Sequence, residues 1–318
     1  MMDVQRVVAV DWSGDRSDAG QKKKIRAGVW TKDPTHRNRA AMNGAPGARV
    51  HGGRVTLESG RTRDEVAEWL IEMARETPRM VVGVDFCFSY PAWFVAEHGA
   101  KTAPEFWNIV AEHGERWLGR ECEDARFWGR VGKFRTGKKP PEFCGDFGLR
   151  MLRQADIACK VQGKILDPSE AAKVKGIAPK SPFQIGGAGA VGTGTLRGIP
   201  LLPELVRGGF SIWPFHPTRL PMVVEIYPRL LTGEVKKGNA EERAKYLKKK
   251  QKEEGAYAFI EEEVLAKARG SEDAFDALVS VIEMSARRDD FPKLEQSTDA
   301  VTLLEGAVWG AKTISDCQ

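Results

Sequence analysis

The chain has 318 residues, 42% of them hydrophobic and 29% charged, and a formal net charge of +5. That composition suits a globular protein with a large core, and no apolar run approaches the roughly 18 residues that a membrane span needs. The opening residues, Met1 to Arg6, lack a signal-peptide pattern, so a cytoplasmic location is expected.

Five cysteines, Cys87, Cys122, Cys144, Cys159 and Cys317, are scattered with no C-x-x-C pair. They argue against a disulfide framework or a structural zinc site. The small positive excess permits a phosphate-bearing partner without requiring one.

In chain order, residues 5–11 form a first strand, an apolar run (Val7-Val8-Ala9-Val10) that ends in Asp11 and turns through Ser13-Gly14. Both faces of such a strand are expected to be buried. Lys22-Lys23-Lys24 reads as a solvated turn, Ile25 to Thr31 as a second strand, 33–52 as a Pro/Gly/Asn-rich loop and Arg54 to Glu58 as a third strand. With no room for a helix between them, these three strands predict an antiparallel meander. Thr62 to Glu76 then reads as a helix opened by a Thr62/Glu65 capping box. Met80 to Asp85 repeats the opening pattern, an apolar strand delivering an aspartate. A right-handed crossover through the helix sets this strand parallel to the first, with Asp11 and Asp85 at one edge of the sheet.

Residues 91–220 interrupt the pattern and read as a large insertion forming a cleft wall, with core segments 1–90 and 221–318 on either side. Within it, Pro104 to Leu118 and Phe147 to Lys160 look helical. Arg126 to Lys139 interleaves aromatic and basic residues in a manner suited to nucleic-acid contact. Pro221 to Pro228 is a short apolar strand carrying Glu225. Asn239 to Lys252 is a charged helix or linker, and Ala256 to Arg269, Ser271 to Arg288 and Ser297 to Lys312 are three further helices.

Asp273 and Asp276 lie three apart on the second of these and share a face. Ser271 as N-cap and the helix dipole account for Asp273. Asp276 lies on a helix apolar on most sides, where an acid must be paired, protonated or bound to a cation.

An aspartate ending strand one, an acid ending the strand after the first helix and D-x-x-D on a late helix resemble the ribonuclease-H-like fold, and the helical pair is most like that of Holliday-junction resolvases. Over nearly the full length, VVAVDWSG, GVDFCFSYP, KSPFQIGGAGAVGTGTLRG, FSIWPF, VEIYP and SEDAFDAL resemble the domain of unknown function 429 family, described as predicted RNase H-like nucleases. The resemblance implies a mixed five-stranded α/β sheet, three antiparallel strands and then two parallel ones, flanked by helices. It also implies convergence of Asp11, Asp85, Asp273 and Asp276 as catalytic and metal-ligating residues on one or two Mg²⁺ or Mn²⁺ ions. Glu225, on the fifth strand, lies outside the minimal resolvase set and is expected as a further metal ligand, a group supporting the ligands or a substrate contact. The chemistry expected is hydrolysis of phosphodiesters by a metal-activated water.

The glycine-rich run, Gly186 to Gly198, contains Gly187-x-Gly189-x-x-Gly192. No strand precedes it, so the dinucleotide fingerprint is a weak match. A backbone cradle for phosphate, with Lys180, Ser181, Gln184, Gly187, Gly189, Gly192 and Thr193 as substrate contacts, is the sharper expectation. The partner is then a nucleic acid or a phosphorylated small molecule. An actin-like nucleotide-dependent phosphotransferase and a non-catalytic nucleic-acid-binding module are the competing readings.

Overall fold

The computed structural model describes residues 3–33, 52–119, 122, 124, 126–129, 150–156, 180–187, 190–233, 235–258 and 260–310. Its centre is a mixed sheet of six strands: β1 (Arg6–Asp11), β2 (Arg26–Lys32), β3 (Gly53–Ser59), β4 (Met80–Val84), β5 (Ser211–Ile212) and β6 (Met222–Glu225), in the order β3-β2-β1-β4-β6-β5. β1 to β3 form the expected antiparallel meander, and β4 joins β1 in parallel with Val10 opposite Val84. β6 follows β4 in parallel, Val84 opposite Glu225. The sixth strand, β5, was not anticipated: two residues at the sheet edge, parallel to β6, are too short to show an alternation.

The turn expected at Lys22 to Lys24 is instead the end of a helix, α1 (Asp18–Lys24). The Ser17 hydroxyl caps it by accepting from the Gly20 N–H, and the three lysines sit in its last turn. Lysines there complement the partial negative charge of the helix C-terminus. The helix α2 (Arg63–Glu76) opens with the predicted reciprocal capping box, Thr62 N–H to Glu65 Oε2 at 2.7 Å and Glu65 N–H to Thr62 Oγ1 at 3.3 Å.

Then come α3 (Ala92–Glu97), α4 (Ala103–Leu118), α5 (Gly192–Gly198), α6 (Leu201–Arg207), α7 (Pro228–Thr232), α8 (Ala240–Glu253), α9 (Glu262–Gly270), α10 (Glu272–Ala286) and α11 (Thr302–Glu305). Among the described residues, four of the last predicted helix are helical, and Gly306 (φ +85°) turns the chain out of it. Of the helix expected at Phe147 to Lys160, residues 150–156 are described, and there the helix is broken: 150 and 154–156 are helical and 151–153 are not. No helix is long and apolar enough to cross a membrane, among the described residues.

Strand alternation divides the core in two. Val8, Val10, Val82, Val84 and Val223 point to the face covered by α2, α3, α4 and α6. Val7, Ala9, Val81, Met222 and Val224 point to the face covered by α8, α9 and α10. Both faces are buried, which is why β1, β4 and β6 read as unbroken apolar runs. The helix α10 lies directly on the strands: a Cβ on Gly28 would sit 2.5 Å from the Ala277 carbonyl, and one on Gly83 2.6 Å from Met284 Sδ. That close approach sets how near the acids of α10 come to the strand ends.

Candidate active site: an aspartate cluster around Lys237

Asp11 is the last residue of β1, and Asp85 follows the last residue of β4. The Asp85 N–H donates to the Val10 carbonyl (3.1 Å), continuing the parallel register by one step. Asp276 reaches the same edge from α10 and is buried, while Asp273, one turn earlier, is half-buried. Four of the predicted acids therefore come together electrostatically. Burial pushes the Asp11 carboxyl well above the usual carboxylate range, and repulsion from Asp276, Asp85 and Asp273 adds to it. Burial raises Asp85 to about 7 despite the attraction of Lys237, with Asp276 and Glu225 pushing in the same direction. Asp276 and Asp273 are raised too, chiefly by burial, against the fields of Lys237 and Arg26 respectively.

Lys237 is the site residue that sequence reasoning missed. It lies in the loop between α7 and α8, and its ammonium is ion-paired with Asp276 Oδ2. Burial alone would lower its pKa, but the attraction of Asp276, Asp85 and Asp11 holds it above the ordinary lysine value. Nothing in the local sequence, Val235-Lys236-Lys237-Gly238, distinguishes it from a solvated lysine. The other oxygen of Asp276, Oδ1, is buried without a hydrogen-bond partner among the described residues.

Glu225, expected as a further ligand, faces elsewhere. It shares its strand face with Val223, on the opposite side of the sheet from Asp11, because it is paired with Val84 rather than with Asp85. Its partner is Arg153, a fully buried residue of the segment 150–156. Arg153 Nη2 and Nη1 reach Glu225 Oε1 and Oε2 at 2.5 and 2.8 Å, and Nη2 and Nε reach Asp156 Oδ1 and Oδ2 at 2.7 and 3.1 Å. The Phe88 N–H also donates to Glu225 Oε2 (2.8 Å).

Among the described residues, Cys87, Asp156 and Glu225 form the set of three ligand-type atoms lying within 4.8 Å of one another. The Arg153 guanidinium already supplies the positive charge there, and burial raises the Cys87 thiol. We therefore read this set as an internal ion-pair network rather than a cation site.

A cleft of about 390 Å³ opens beside these groups, lined by Trp12, Gly14, Lys24, Asp85, Cys87, Lys180, Thr193, Gly194, Glu225 and Tyr227 among others. This volume is in the range of small-molecule sites. Its far wall is the glycine-rich segment. A Cβ on Gly14 would lie 2.6 Å from the Gly194 nitrogen, so the turn after β1 and the start of α5 are in backbone contact.

Of the predicted substrate contacts, Lys180 and Thr193 line the cleft. The Thr193 hydroxyl donates to the Ile185 carbonyl (2.7 Å). Ser181 is buried and donates to the Met151 carbonyl (2.6 Å), Gln184 Nε2 donates to the Gly186 carbonyl (3.3 Å), and neither is among the lining residues. The Gly192 N–H is used by the Gln184 carbonyl (2.8 Å), so it is not free for a phosphate. Gly187 has a φ of +85°, and Gly189 lies outside the described residues.

The basic-aromatic segment is also used differently from expectation as far as it is described. Phe127 and Trp128 are buried, and Arg126 is paired with Asp124 and Glu97, while 130–139 lie outside the described residues. Lys245, Lys249 and Lys250 pair with acids along and beside α8, as a solvated helix face does.

No family model, curated protein or solved structure matches this chain.

Proposed function

We propose that the protein is a divalent-metal-dependent phosphohydrolase, in the first instance a nuclease, with an RNase H-like arrangement of its sheet. The observation that carries this reading is the convergence of Asp11, Asp85 and Asp276 on a single ammonium at the strand ends, with one oxygen of Asp276 buried and unpartnered. One buried and two half-buried carboxylates need more positive charge than one lysine supplies. Oxygen-only donors on rigid elements suit Mg²⁺ or Mn²⁺. Asp11, Asp85 and Asp276 would hold the ion, with Asp273 at the rim; when bound, it supplies the charge stabilisation that in-line cleavage of a phosphodiester requires.

The remaining groups bind and orient. Lys180 and Lys24 place positive charge in the cleft, Lys24 shared with Asp15 at 2.7 Å. Trp12, Phe86 and Tyr227 give the cleft an apolar wall on which a base or sugar can rest. The phosphotransferase alternative calls for a second domain built on the same sheet, and among the described residues there is one sheet.

The test is calorimetric titration of Mn²⁺ and Mg²⁺ into the metal-free protein, beside Asp11→Asn and Asp276→Asn. Saturable binding lost in both folded variants supports the reading and directs a screen of single-stranded DNA, RNA and nucleotides. Unchanged Mn²⁺ binding in both variants removes the shared site.

A further inference from the structure

We infer that Lys237 is the resident cation of the aspartate site and that a divalent ion enters by displacing it. The inference rests on the metal-site reading above and adds a residue and an exchange that this reading does not require.

The geometry is that of a fixed anchor with a movable head. The Lys237 carbonyl accepts from Arg243 Nη1. Arg243 is itself buried and donates through Nε and Nη2 to the Arg269 carbonyl at 3.0 and 2.6 Å. The backbone of Lys237 is thereby clamped to the end of α9. Its side chain, by contrast, keeps a quarter of its surface exposed (25%), against 4% for the Asp276 carboxylate it contacts. A lysine head on a four-carbon stem can leave such a position without moving its backbone. An acceptor stands ready on the way out: Glu272, exposed at the start of α10, has Oε1 already 3.9 Å from Nζ.

The charges favour exchange. One ammonium faces Asp11, Asp85 and Asp276, and Asp276 Oδ1 is buried with no partner among the described residues. A doubly charged ion compensates this group better than a single ammonium does. The two cations cannot share it, because like charges at contact distance in a poorly hydrated site repel strongly. The aspartates are also not closed on one another as metal ligands would be. The close set of three ligand atoms among the described residues is the Cys87, Asp156 and Glu225 group on the other side of the sheet. The aspartates are arranged around Lys237, and they close on an ion once it has left.

The experiment uses the full chain and Mn²⁺ or Mg²⁺ alone. Lys237→Met should bind Mn²⁺ at least about tenfold more tightly than wild type at the same pH, since a competing positive charge is gone. In EDTA it should melt at a lower temperature. Lys237→Arg should melt near wild type and bind Mn²⁺ no more tightly. Wild-type protein gives an independent readout: acetylation of Lys237 by an amine-reactive reagent, followed by mass spectrometry, should be several-fold faster in Mg²⁺ than in EDTA. Equal or weaker Mn²⁺ binding by folded Lys237→Met, with Asp276→Asn still abolishing binding, overturns the exchange and leaves the metal site standing. So does Lys237 labelling that Mg²⁺ leaves unchanged or slows while Mn²⁺ binds. No Mn²⁺ binding by wild type or by Lys237→Met overturns the metal site and the exchange together.

Discussion

Asp85→Asn should make the metal-free protein more stable above neutral pH, although it removes a residue placed in the site. The Asp85 carboxyl is raised from 3.8 to about 7, chiefly by burial. Below an ordinary carboxylate pKa both folded and unfolded chains hold the proton, so wild type and variant should be equally stable. As pH rises through the ordinary value, the unfolded chain loses its proton while the folded chain keeps it, and wild-type stability falls. The fall is complete once the pH passes the folded value. At about 1.4 kcal/mol for each unit, a shift of about three units sets a ceiling of roughly 4 kcal/mol. Asp85 keeps a partly open face towards the cleft, so solvent screening brings the expected difference to about 2 kcal/mol.

The asparagine resembles the protonated acid and escapes this loss. Urea denaturation in EDTA across about pH 4 to 8 should show the variant's advantage rising from near zero to about 2 kcal/mol. Saturating Mn²⁺ should reverse the order by stabilising wild type alone. A variant less stable than wild type in EDTA at the alkaline end, or a difference independent of pH, would refute the account of Asp85 as a buried, repelled acid.

Arg153→Met leaves Glu225 and Asp156 buried without their shared cation and should cost about 3–5 kcal/mol, read from the denaturation midpoint; a loss under about 1 kcal/mol would mean that the network is marginal. Gly14→Ala drives a Cβ to 2.6 Å from the Gly194 nitrogen and 2.7 Å from the Thr193 carbonyl carbon. Backbone atoms cannot give way as a side chain can, so a loss of about 1–3 kcal/mol is expected, and unchanged stability would argue against the sealed cleft wall. Cys87, buried and with its thiol raised by burial, should resist iodoacetamide in the native protein while the partly exposed Cys122 reacts; labelling of Cys87 at the rate of Cys122 would contradict its placement.

What the sequence determined by itself is local or periodic. The unbroken apolar runs of β1 and β4 declare strands with two buried faces, and each carries its aspartate to the end of the strand. The Thr62/Glu65 capping box and the Ser271 cap are complete within four residues, so α2 and α10 start where predicted. The meander followed by a parallel strand after α2 was legible for the same reason, since a helix between strands permits a parallel crossover.

Tertiary structure alone decided the rest. Glu225 looks like a third strand-end acid, but a register offset of one residue turns it to the other face, where it meets Arg153 from 72 residues away in sequence. Lys237 has no local signature, because its role comes from α10 being pressed onto Gly28 and Gly83, which brings Asp276 to the ends of β1 and β4. The aromatic residues of Arg126 to Gly129 read as a surface and are core, since composition does not say which side of a segment the chain will cover. Strand periodicity and helix capping are short-range and survive in the sequence. The pairing of buried charges depends on which segments meet, and that is settled only when the two faces of the sheet are covered.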